Sequence, residues 1–347
     1  MKMKHFALWG CVLIFSACNM FPGAPVVEVT STSIPTPVPT STLTPSSVPI
    51  TDAQQYLSEA IDIIQENALN SSQADWDKIR STAFEAAKDA KSPEDTYKII
   101  QYVLDELGDH HSFFATPEGM DDLNNSTTTD YMAATGELLE GRLGYVTLFG
   151  FGAQKEEEVN KYANQVQNLI IDLSDQNVCG WIVDLRYNTG GNMYPMIAGL
   201  GALIGEGKLG TFKDAKGQTT NWYYRDGQSW IEDTPIAKVN HPEFILDPDE
   251  VPVAVLIGSQ TASSGEATAI SFRGRSNTRF FGRPSYGLTT GNDVFRLIDG
   301  AAIFLTIVIE LDRTGQEYGG SIDPDVLTSK PEQEAANWLL TQPACSQ

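Results

Sequence analysis

Ser263 and Ser264 stand side by side in LIGSQTASSGEATAI, residues 256–270, with Glu266 close behind. A serine hydroxyl becomes a nucleophile when an adjacent group takes its proton, and that group is most often a histidine. The chain has four histidines: His5, His110, His111 and His241. His110 and His111 sit together in LGDHHSFF, residues 107–114, just past a helix end at Gly108, so a loop can carry an imidazole there. His241, in NHPEF, reads as a loop residue near the strand at 252. A third feature is VDLRYNTGGN, residues 183–192, in which Gly190 and Gly191 lie in a turn between a strand and a helix. Such a turn presents backbone amides and suits an anion or a developing oxyanion. It lacks the G-x-G-x-x-G spacing and the Lys-Ser/Thr pair of a phosphate-binding loop. There is no HExxH and no Cys/His cluster, so neither a metal nor another cofactor is expected. Each feature also has a plainer explanation. Ser263 and Glu266 have the S-x-x-E spacing of a capping box. The glycines serve a tight turn. Two loop histidines are commonly just solvated.

These residues need elements to hold them. VPVAVLIG, residues 251–258, is a short apolar, β-branched run and reads as a buried strand, with GEATAISFRG, residues 265–274, as the helix after it. Residues 52–108 read as helices, ending at Gly108, and DHHSFFATPEGM reads as a loop. From about residue 143 strands and helices alternate: LGYVTLFGF, then EEEVNKYANQVQNLIIDLSDQ, then CGWIVDLRY, then GGNMYPMIAGLGALIG. GTFKDAKGQTTNWYYRDG has hairpin character, and DVFRLIDGAAIFLTIVIEL has an Asp-Gly turn between strands. The alternation indicates an α/β core with parallel pairing.

Composition bounds the rest. The chain has 347 residues, 41% hydrophobic, with a net charge of −22. Lys2 and Lys4 against Glu28 leave the first fifty residues at +1, so residues 51–347 carry −23. An acidic body argues against nucleic acid, which needs cations at its phosphates. MKMKHFALWGCVLIFSAC has the basic start, apolar core and small-residue end of a secretory signal over residues 1–18. Ser16-Ala17-Cys18 is similar to a bacterial lipoprotein cleavage box, which implies a lipid on Cys18 and a membrane anchor outside the cytoplasm; simple secretion or an uncleaved anchor is the alternative. Residues 19–51 are rich in Pro, Ser and Thr and read as an extended, disordered tether. The expected organisation is this signal and tether, a helical segment over 52–135 and a core over 136–347. With Cys11 and Cys18 in the leader, Cys179 and Cys345 remain, either as one disulfide or as two free thiols.

LGDHHSFF, GYVTLFGF (144–151), VDLRYNTGG (183–191), GSQTASSGE (258–266) and GGSIDPD (319–325) occur in an order that resembles the C-terminal processing, or tail-specific, serine peptidases. That family includes the tricorn core protease and the retinoid-binding protein of the interphotoreceptor matrix. The resemblance spans roughly 55–330 and implies a ClpP/crotonase-like α/β core behind a helical N-terminal segment. It implies Ser263 as the nucleophile, with oxyanion amides from Ser264 and from Gly190 or Gly191. Many members use a lysine base after a G-x-P-x-x-G turn; here that turn is GRPSYGLTTG and the lysine position is Leu288. The tricorn-like branch uses a histidine, which maps to His111, with His110 in place of a neighbouring hydroxyl. The branch also has a late glutamate, for which Glu317 is the candidate and Asp323 the alternative. Only about thirty residues separate His111 from LGYVTLFG, too few for the PDZ domain that many relatives insert. The implied activity is peptide-bond hydrolysis on a peptide or protein substrate. A catalytically silent binder of peptides or apolar ligands on the same fold is the alternative.

Overall fold

A computed structural model describes residues 52–346. The expected signal, the Cys18 lipidation site and the tether lie outside the described residues. Among those described, the chain begins with helices α1 (Asp52–Asn67), α2 (Trp76–Ala86) and α3 (Tyr97–Asp105). Strand β1 (Phe113–Ala115), helix α4 (Pro117–Asn125) and strands β2 (Thr135–Leu139) and β3 (Leu143–Thr147) follow. Next come α5 (Glu156–Ser174), β4 (Gly180–Asp184) and α6 (Met193–Ile204). Strands β5 (Gly207–Asp214), β6 (Thr219–Arg225), β7 (Gln228–Ile231) and β8 (Thr234–Lys238) form a meander. The last third holds β9 (Val253–Ile257), α7 (Ser264–Ile270), β10 (Thr278–Gly282), β11 (Thr290–Arg296), β12 (Ala302–Asp312), β13 (Val326–Leu327) and α8 (Pro331–Leu340).

Two sheets organise these elements. One runs β13-β10-β9-β4-β3-β2, parallel except for the antiparallel β2 edge. Its central strands β4 and β9 are buried at every residue, as parallel strands covered on both faces must be. The other is antiparallel, in the order β1-β12-β5-β6-β7-β8, with β11 also on β12. The main core lies between them and includes α5, the almost wholly buried α6, and α7. Helix α8 covers the far face of the first sheet, where Ala335 and Leu339 meet Leu143, Ile182 and Phe281. Helices α1–α3 pack on Ile303 and Leu305 of β12.

The segment expected as a loop after Gly108 contains β1 and the start of α4. Phe113 pairs with Phe304 of β12, and the two rings stack at 4.4 Å. That pairing spans almost two hundred residues of chain, so no local pattern could announce it. Through it the helical segment and the core share a sheet.

Cys179 and Cys345 are joined in a disulfide with Cα atoms 5.0 Å apart, closing 166 residues of chain. The bond ties the tail after α8 to the start of β4. A crosslink over so long a loop restricts the unfolded chain, so Cys345→Ser should lower stability by about 3 kcal/mol. Urea denaturation of the two forms, with and without reductant, checks this: the variant should match the reduced wild type.

Candidate active site

Three segments converge on Ser263. The first is the β9–α7 turn. Ser263 has φ 52° and ψ −124°, a backbone shape that a non-glycine residue adopts at a cost of about 1–3 kcal/mol. Its N–H donates to Glu266 Oε2 at 2.8 Å, so the carboxylate half of the expected capping box is made. The same residue's Oγ lies 2.9 Å from His111 Nε2. The capping motif and the serine–histidine contact therefore coexist in one residue.

The second segment carries the imidazole. Asp109 Oδ1 accepts the amides of His111 and Ser112, both at 2.8 Å, and Oδ2 accepts the Ser112 hydroxyl at 2.7 Å. Ser112 Oγ in turn takes the Thr306 amide of β12, and Asn292 Nδ2 donates to the His111 carbonyl. The loop is thus clamped from within and from β11–β12. His111 Nδ1 meets Thr290 Oγ1, at the start of β11, at 2.7 Å. With Nε2 accepting from Ser263, the consistent tautomer has the proton on Nδ1, donated to Thr290. Burial lowers the His111 pKa from its ordinary value, with the Asp109 charge opposing, so the ring is held as a neutral base. His110 is exposed, with φ 56°, and takes no part in these hydrogen bonds.

The third segment is the glycine turn after β4. Gly190 and Gly191 both have positive φ, 102° and 116°. A Cβ on Gly190 would lie 2.8 Å from Ser263 Cβ, and one on Gly191 would lie 2.2 Å from the Phe151 carbonyl oxygen. Only glycine lets this turn approach the serine so closely. Of the two glycines expected to offer amides, Gly190 has its N–H committed to Asn188 Oδ1 at 3.0 Å. It contributes space to the turn. Among the described residues the N–H groups of Gly191 and Ser264 have no acceptor, and Ser264 Oγ donates to Gly191 O at 2.8 Å, joining the two halves.

Glu266 links these parts. It is fully buried, and its carboxylate accepts from Ser263 N, Leu288 N, Gly287 N and Ser285 Oγ, at 2.5 to 2.8 Å. Burial raises its pKa, against the pull of those four donors. Leu288, at the position where a lysine base would stand, contributes its backbone to this cluster. Glu310 on β12 is also fully buried, its Oε2 has no hydrogen-bond partner, and burial reinforced by the Glu266 charge raises its pKa well above normal. The four donors favour the charged form of Glu266, while burial favours the neutral form of Glu310.

The late glutamate falls elsewhere. Residues 312–316 turn back on themselves, with Gly315 N bonded to Asp312 O and Asp312 N to Gln316 O. Glu317 then faces Leu311 across a bridge and pairs with Lys213 of β5 at the surface. It makes no contact with His111. Asp323 is exposed, and its carbonyl accepts from Arg273. The group at His111 Nδ1 is Thr290, which the sequence reading missed. Its signal was slight: in the Thr-Thr pair directly after the lysine position, nothing local separates Thr289 from Thr290. Thr289 is buried and bonds the Gly319–Gly320 turn, while Thr290 faces the imidazole.

Comparison with known proteins accords with this architecture. The model of peptidase family S41 matches residues 142–328, and the chain belongs to that family. Membership makes it, at the level of the family, a serine-type peptidase with peptide or protein substrates. The nisin-resistance protein of Lactococcus lactis subsp. lactis is 30% identical over 83% of this chain and 87% of its own length. A lipoprotein from Streptococcus agalactiae is 29% identical, with a TM-score of 0.71, covering 86% of this chain and 99% of that one. The photosystem II D1 C-terminal processing protease, at 16% identity and a TM-score of 0.56 over 85% of this chain and 99% of that one, shares the fold.

Proposed function

We propose that the protein is an extracytoplasmic, lipid-anchored serine peptidase that cleaves peptide bonds with Ser263 as nucleophile and His111 as general base. The observation that carries this reading is the 2.9 Å contact between Ser263 Oγ and His111 Nε2 at a strained strand-to-helix turn. His111 Nε2 takes the Ser263 proton as Oγ attacks the scissile carbonyl carbon. The carbonyl π electrons move to oxygen, which the amides of Ser264 and Gly191 receive. Collapse of the tetrahedral species breaks the C–N bond, and imidazolium returns its proton to the leaving amine. Water, deprotonated by His111, then releases the acyl group and regenerates Ser263.

Thr290 is the positioning residue. Its hydroxyl fixes the ring and tautomer of His111 but, being neutral, gives the imidazolium less stabilisation than a carboxylate would. Thr290→Val keeps the shape and removes the acceptor, so kcat/KM should fall about tenfold, the worth of one oriented hydrogen bond. The acid limb of the pH profile should also move lower, because the charged ring loses more than the neutral one. An unchanged profile would leave Thr290 a merely structural role.

A fluorophosphonate probe tests the central claim. Wild-type protein should label on Ser263, and Ser263→Ala and His111→Ala should not. A folded wild type that resists the probe would favour the silent binder. The identity with a nisin-resistance protein makes nisin the first peptide to offer, and the likeness to a lipoprotein supports the anchor at Cys18.

A further inference from the structure

We propose that Tyr187 and Tyr286 are specificity-determining residues, a pair of jaws that grip an apolar or aromatic side chain of the peptide substrate beside the scissile bond. The proposal rests on the peptidase reading and names the substrate class for it. Tyr187 is 53% exposed and Tyr286 63% exposed, although both belong to segments that build the site. Single exposed apolar residues are ordinary on a surface, whereas ones that border a reactive centre mark a binding site.

Their placement is fixed by the backbone. Tyr286 N–H donates to the Thr261 carbonyl at 2.8 Å, and Ala262 N–H donates to the carbonyl of Asn188, the neighbour of Tyr187, at 3.0 Å. The two tyrosines therefore flank Thr261-Ala262, the pair of residues that leads into Ser263. Each stands on pinned neighbours. Tyr187 lies between Arg186, held by Asp184 at 2.7 Å, and the fully buried Asn188. Tyr286 lies between Ser285 and Gly287, both bonded to Glu266. Their stalks are rigid and their rings reach solvent, with only the Arg186 guanidinium near Tyr187, 5.7 Å from its ring centre. A tyrosine with a fixed backbone has only two side-chain torsions to order, so it offers a large apolar face at small entropic cost.

Between His111 and β3 the chain spends its residues on β1, α4 and β2, all packed into the domain, with no separate recognition module. Selectivity must then come from the rim of the reactive site. The rim next to the nucleophile presents two exposed aromatic rings, which suits apolar side chains.

β-Casein, an unfolded protein substrate, gives the test when its cleavage sites are mapped by mass spectrometry. Wild type should cut preferentially where one residue next to the scissile bond is Phe, Tyr, Leu or Ile. The Tyr187→Ala/Tyr286→Ala double variant should lose that preference and raise KM for such a peptide about tenfold, with a much smaller change in kcat. Its Ser263 should still react with a small fluorophosphonate, which has no side chain for the jaws to hold. Tyr187→Phe/Tyr286→Phe should restore the preference, because the ring and not the hydroxyl makes the contact. A labelled wild type with no apolar preference, or one whose preference survives both alanine changes, overturns the jaws alone. A wild type that neither labels nor cleaves overturns the peptidase reading, and the jaws with it.

Discussion

Ser263→Ala and His111→Ala are each expected to lower kcat for peptide hydrolysis by roughly 10⁴-fold or more, and the double variant by hardly more than either alone. In the proposed mechanism the two groups act as one unit, so losing either would leave only substrate binding and the amides of Ser264 and Gly191. Stopped assays on a quenched peptide, with folding checked by circular dichroism, measure this. A variant retaining a tenth of wild-type activity would show that another group carries the chemistry. The pH profile is a second arm of the same prediction. His111 works only as the neutral imidazole, so activity falls as pH drops through its pKa. Burial holds that pKa below the ordinary value of about 6.5. The acid limb of kcat/KM should therefore lie below pH ~6.5, and the enzyme should remain fully active at neutral pH. An acid limb above that value would mean that a negative charge faces the ring, contrary to its contact with the neutral Thr290 hydroxyl.

Glu266→Gln should be the most damaging single change outside the reacting pair. One carboxylate oxygen accepts from Ser285 and Gly287, the other from Ser263 and Leu288. With its NH2 toward Ser285 and Gly287 the new amide can donate to the Ser285 hydroxyl but opposes the Gly287 N–H, and turned the other way it opposes two N–H groups. At least one buried hydrogen bond becomes a repulsion, which should cost about 2 kcal/mol of stability. The Ser263 backbone is also freed from the clamp that maintains its strained shape, so fluorophosphonate labelling should slow along with the loss of stability. Chemical denaturation and the labelling rate read the two effects separately. A wild-type denaturation midpoint with full labelling would show that the cluster around Glu266 does not hold the turn. The residue thus has a role well beyond the helix cap that its spacing from Ser263 suggests.

How much of this was legible beforehand differs from element to element. The buried strands β4 and β9, the helices α5 and α6 and the β5–β6 hairpin follow from apolar runs, periodicity and turn residues, all local signals. The resemblance of five short blocks to a peptidase family pointed to the right fold, and to Ser263, His111 and the glycine turn as the residues to examine. The short strand β1 was not legible, because three residues make a strand only when β12 is there to receive them.

The sequence by itself determined the local pieces: a serine at a strand-to-helix turn, a paired histidine after a helix end, and glycines where a side chain would collide. Only the tertiary structure decided which piece meets which. It placed Thr290 and not Glu317 at His111, reserved the Gly190 amide for Asn188, joined Cys179 to Cys345, and buried Glu310 with one carboxyl oxygen unpartnered. The reason is physical. Backbone shape depends on residues a few positions apart, whereas hydrogen-bond partners and the ionisation of buried groups depend on what packing brings within a few ångströms, from anywhere along the chain.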